Sequence, residues 1–214
     1  MPPRTPRENF THSIDRVLSL RELYTALTPR RGRPEEDKSD ILRGAVVLCA
    51  AALDEVALTS IVEAMPKAAL KGLLGPLAQK WVRSDPESIL RALATGSPHA
   101  EVARIARTNL GEVTFQRAAA IEGVLQEALS CSQPWTDSAA ALTSDTGRAC
   151  TEGEVKAALD RFIERRNRIA HDGDRLPNRN ALRSISQRYV GDNALLVLDV
   201  GLAVISVIEA HLSS

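Results

Sequence analysis

The segment 161–174 reads RFIERRNRIAHDGD, and within it Arg166, Asn167 and His171 have the types and spacing to do chemistry. An imidazole titrates near neutrality and can take up or release a proton as a general base or acid. A guanidinium is a permanent cation with a planar fork of donors, suited to an oxyanion and to charge that grows on it. The Asn167 amide can orient either partner by hydrogen bonding. Arg161, Arg165, Arg166 and Arg168 crowd into eight residues, directly before His171.

A helix over 152–171 must position these groups. On a wheel of about 100° per residue with Leu159 at zero, Val155, Phe162, Ile163, Ile169 and Ala170 form an apolar stripe. Arg166 falls near −20°, in the middle of that stripe, whereas Arg161, Glu164, Arg165 and Arg168 lie off its centre. A buried guanidinium without partners costs several kcal/mol, so Arg166 needs a reason. One reason is structural, an ion pair with Asp54 or Glu55 on an early apolar helix. The other is functional, a cleft or subunit interface where the arginine meets an anion. His171 lies about 140° round from Arg166, and the two cooperate only if the helix ends there and Arg166 reaches across. His-Asp-Gly-Asp is such an end, with Gly173 as the left-handed residue. His171 also reads simply as a cation at the negative end of a helix dipole.

The rest of the chain is a set of helices that could carry this one. Of 214 residues, 44% are hydrophobic and only 3% aromatic, so the core is Ala, Leu, Val and Ile. That favours packed helices over a β-sandwich. A flexible basic tail is expected over 1–12, and a single helical domain over 13–214. Apolar spacing predicts helices over 13–27 and 41–65, the second capped by Ser39 or Asp40 and apolar nearly all round except Arg43, Asp54 and Glu55. The segment 28–40 reads as an exposed charged loop. Asp85-Pro86 and Ser97-Pro98 start helices running to about 95 and 108. Another helix is expected over 112–130, then a long Ser/Thr/Asp-rich loop over 131–150. Thr151 and Glu154 form a capping box for the motif helix. A short element around 180–189 precedes a last apolar helix over 194–212, capped by Asp192 or Asn193.

Lys plus Arg and Asp plus Glu are 27 each, so no global basic field draws in nucleic acid. The charge is local. Over 161–188, eight arginines (161, 165, 166, 168, 175, 179, 183 and 188) face only Glu164, Asp172 and Asp174. This is either a phosphate-holding patch or a solvated arginine-rich surface. No aromatic-rich stacking surface is evident. No carboxylate cluster or His/Cys spacing suggests a metal, and no cofactor is expected. The N-terminal residues lack the apolar core of a signal peptide, and the apolar runs 45–53 and 202–208 are too short to span a bilayer. Cys49, Cys131 and Cys150, odd in number and widely spaced, are expected to be reduced thiols. These features point to a cytoplasmic chain with no membrane contact.

Arg-Asn-x-x-x-His over 166–171, on a late helix of an all-α bundle, resembles the signature of the HEPN superfamily. That signature is an arginine, a polar residue, and a histidine four to six residues after the arginine. The order of the apolar helix RGAVVLCAAALDEVALTSIVEA, the segment SDPESIL, Trp135 and RNRIAHDGD is similar to the RiboL-PSP branch of that superfamily. The resemblance covers 37–212, with 96–150 the weakest part. It implies a HEPN-like bundle with additional short helices inserted mid-chain, and a metal-independent endoribonuclease. Arg166 and His171 match the invariant pair and Asn167 the polar second position. The RNA's own 2′-hydroxyl would be the nucleophile. The resemblance further implies a homodimer with both motifs facing one composite cleft, and a role as a toxin or anti-phage defence component with a cognate antitoxin or regulatory protein. Two rivals stand beside it: a non-catalytic module that grips RNA, a nucleotide or a protein, and a structural interaction protein with Arg166 satisfied by Asp54 or Glu55.

Overall fold

The computed structural model describes residues 4–28, 36–83, 85–176 and 181–214, with 36, 37, 89 and 145 described by backbone alone. The fold is all-α, and among the described residues the only extended pairing is an isolated antiparallel bridge between Arg175 and Leu182. Three long helices make the main core: α1 (Pro6–Leu27), α2 (Glu36–Lys71) and, at the end of the chain, α9 (Gln187–Ser213). Between them run α3 (Ala78–Trp81), α4 (Pro86–Thr95), α5 (Pro98–Leu110), α6 (Ala118–Val124), a π-helical turn at Leu125–Leu129, α7 (Trp135–Thr146) and α8 (Glu152–Asp172).

The chain begins its helical fold earlier than expected. Residues 6–12 are not part of a flexible tail but the first turns of α1. Thr5 and Glu8 form a capping box there, Pro6 occupies a first-turn position, and Phe10 is buried. Phe10, Ile14, Val17 and Tyr24 share the buried face. Where α1 crosses α9, a side chain at Gly201 would collide with the Phe10 ring, so the glycine sets how closely the two helices approach.

α2 also starts earlier than expected, at Glu36, so the charged loop expected over 28–40 is partly helix. Residues 29–35 of that loop lie outside the described residues. The helix continues past Pro66, which removes one backbone donor. Ala64, Met65 and Ala68 are buried on both sides of it, and this burial offsets the lost bond. α2 and α9 are each long and apolar enough to cross a bilayer by length and composition, which the shorter runs 45–53 and 202–208 did not suggest. Of the 18-residue apolar window in each, 56% is buried inside the protein, as in the central helices of a bundle.

The long loop expected over 131–150 is replaced in part by α7. Its polar composition conceals a buried row of Trp135, Ala139 and Leu142 at helical spacing. The Trp135 indole N–H donates to Glu122 at 2.7 Å, and the Lys156 ammonium lies 5.4 Å from its ring. The helix expected over 112–130 is shorter and ends in a π turn. The Glu127 and Ala128 carbonyls there accept from the N–H groups of Leu77 and Gly75, which docks the α2–α3 connection. The last helix is longer than expected. Ser186, not Asp192 or Asn193, is its N-cap and accepts from the Tyr189 N–H.

Candidate functional site

α8 is built as its sequence implies. Thr151 accepts from the Glu154 N–H, and the Glu154 carboxylate accepts in return from the Thr151 N–H at 2.8 Å. These bonds hold the Glu154 carboxyl below its usual range. Val155, Leu159, Phe162 and Ile163 are buried as the stripe requires, whereas Ile169 is partly buried and Ala170 is exposed, so the buried stripe ends at Ile163. The helix stops at Gly173 (φ +59°), whose N–H donates to the Arg168 carbonyl. Asp174 repeats the left-handed turn (φ +58°), and its own N–H reaches the same carbonyl at 3.0 Å.

Asp174 is the residue that sequence reasoning missed. It is fully buried at 0% exposure. Its Oδ2 accepts from Arg43 Nε at 3.0 Å and from Arg165 Nη2 at 2.7 Å. Arg43 spends its remaining donors on Ser39, Asp40 and the Arg183 carbonyl. Arg165 also donates to the Ser184 carbonyl, and the Arg183 N–H donates to the Asp174 carbonyl. One carboxylate thus fastens α2, α8 and the 181–186 segment together, and sets the path of the chain just after His171. A signal for it was present: Arg43 on a nearly all-apolar helix required an acid.

The expected partners of Arg166 are engaged elsewhere. Asp54 accepts from the Phe115 N–H and the Gln116 amide, which pins the turn before α6. Glu55 faces Arg107 and the Thr59 hydroxyl. The proposed ion pair of Arg166 with either acid is therefore absent. Arg166 is partly buried, its Nε is enclosed without a partner, and Nη1 donates to Asn167 Oδ1 at 3.1 Å. Among the described residues that is its only hydrogen bond. The structure brings Arg166 and Asn167 together, while His171 stands apart on the exposed last turn of α8.

Several of the expected arginines surround this end of α8. Arg161, Arg168, Arg175 and Arg188 are exposed, Arg165 and Arg183 are partly buried, and Arg179 lies outside the described residues. No cluster of three or more His, Cys, Asp or Glu side chains converges among the described residues. The three cysteines are free thiols. Burial pushes Cys49 up to about 12 and Cys131 to about 11, so neither is a thiolate nucleophile near neutrality. Comparison with protein-family models, with curated proteins and with solved structures gives no match.

Proposed function

We propose that this chain is a metal-independent endoribonuclease of HEPN type, with Arg166, Asn167 and His171 as its catalytic groups and RNA as its substrate. The observation that supports this most is the state of Arg166. It occupies the apolar side of α8, and no acid in the described residues neutralises it. A partly desolvated guanidinium of this kind binds an oxyanion strongly.

In the proposed reaction, His171 takes the proton from a ribose 2′-hydroxyl. The freed oxygen attacks the adjacent phosphorus, and the bond to the 5′ oxygen breaks. That oxygen takes a proton from water, giving a 2′,3′-cyclic phosphate and a 5′-hydroxyl, and the His171 imidazolium returns its proton to the hydroxide so formed. Arg166 holds the charge on the non-bridging oxygens, and Asn167 fixes the orientation of the guanidinium through its 3.1 Å bond. Arg166 and His171 share no hydrogen bond within one chain. The proposal therefore includes a homodimer in which the two motifs complete one cleft. Action in the cytoplasm as a toxin or defence component, restrained by an antitoxin or regulatory protein, belongs to the same reading.

Cleavage of a mixed RNA pool in EDTA tests it. Wild type should cut and leave 2′,3′-cyclic ends. His171→Ala and Arg166→Ala, both shown folded by circular dichroism, should lose about 100-fold or more. RNA binding without cleavage, unchanged in both variants, would instead favour the non-catalytic binding module.

A further inference from the structure

Beside the end of α8, a depression of about 210 Å³ is lined by Arg165, Ser184, Ile185, Ser186 and Tyr189. It is too small for a drug-sized ligand but open enough for a strand passing over it. Arg165 spends Nη2 on Asp174 and the Ser184 carbonyl, while its Nη1 makes no hydrogen bond among the described residues. The guanidinium is held by Nη2 and its Nε is enclosed without a partner, so Nη1 is the group left for the depression. The Ser186 hydroxyl oxygen accepts from the Tyr189 N–H, which leaves its own proton to donate. Ser184 is exposed, and only its backbone carbonyl is engaged.

Tyr189 supplies a partly buried aromatic ring at the same place. Burial pushes its phenol up, and Arg165, Asp174 and Arg168 are all near enough to act on it electrostatically. Arg165 and Arg168 are neighbours three residues apart on α8, about 5–6 Å from each other, and His171 lies about 120° further round the helix from Arg165.

We infer that this depression is a nucleotide subsite for single-stranded RNA, with Arg165 taking a phosphate and Tyr189 stacking on a base of the same strand. The inference rests on the ribonuclease reading for its substrate class and adds a grip that the Arg-Asn-His motif lacks. A phosphate is matched by the Nη1 donors of the fixed Arg165 guanidinium, and a base of any identity is matched by an aromatic face. The subsite thus favours unpaired RNA and is tolerant of sequence.

Binding, measured apart from cutting, tests this. The probe is a fluorescein-labelled single-stranded RNA of about twelve nucleotides, 2′-O-methylated so that it offers no nucleophile. Fluorescence anisotropy is read with the full-length chain. Ser184→Glu puts a negative charge in the depression without touching a packed side chain and should weaken binding about tenfold or more. Tyr189→Leu should weaken it about tenfold, while Tyr189→Phe, which keeps the ring, stays within about twofold. Wild-type binding that Ser184→Glu and Tyr189→Leu leave unchanged overturns the subsite, whatever the cleavage assay shows. No wild-type binding overturns it as well. Binding that both substitutions weaken, with no cleavage by wild type, upholds the subsite and sinks the nuclease reading alone.

Discussion

Arg43 on α2 and Arg166 on α8 both carry a guanidinium into the protein, and the protein treats them in opposite ways. Arg43 is 6% exposed, and its donors meet Asp174, Asp40, Ser39 and a backbone carbonyl. Among the described residues, Arg166 meets one neighbouring amide and no carboxylate. The first arrangement is a structural joint in which all three nitrogens of the buried Arg43 cation are answered, while Asp174 Oδ1 and Arg165 Nε within it are enclosed without a partner. The second has no acid among the described residues, and its cost is limited because Arg166 is only partly desolvated. Two arginines on apolar helix faces therefore differ in role because of what the fold brings to them.

This contrast can be broken or sharpened by measurement. The largest effect is expected at the joint. Asp174→Ala leaves two arginines facing a buried gap and should cost about 3–5 kcal/mol, read from urea unfolding. A cost under about 1 kcal/mol would mean that water or relaxation replaces the carboxylate, and the joint would be less structural than drawn. At the open end, Arg166→Met should do the reverse. Stability should stay within about 1 kcal/mol of wild type, since an unpaired cation gives way to an apolar chain of similar length. RNA cleavage by the same variant should fall about 100-fold. Stability lost together with activity would move Arg166 into the class of Arg43. The smallest effect belongs to the turn between the two regions. Gly173→Ala meets no atom within 4 Å but must adopt φ +59°, so unfolding should become easier by about 1–2 kcal/mol. Gly173→Asn should recover part of that loss.

How far the sequence could be read depended on how local the signal was. The α8 stripe as far as Ile163, its Thr151/Glu154 box and the Gly173 terminus are all patterns within a few turns of one helix, and all three are present. The Asp85-Pro86 start is likewise local and correct. α7 was hidden because Ser, Thr and Asp favour loops on average, whereas the packed fold buries Trp135, Ala139 and Leu142 at helical spacing. The start of α1 was hidden for a related reason. Pro, Arg and Glu look like a tail until Phe10 is seen packed at Gly201.

Composition and periodicity therefore determined that the chain is helical, and they also placed Arg166 on the wrong side of α8 for an ordinary surface arginine. They did so because a helix repeats every 3.6 residues whatever its surroundings. Which acid meets which arginine was decided only in three dimensions. Asp174 lies 131 positions from Arg43, and no periodicity links them. Asp54 and Glu55, plausible partners for Arg166 by position, are claimed by the 115–116 turn and by Arg107. Ion-pair choice follows from distance and desolvation between elements, and those exist only once the helices have packed.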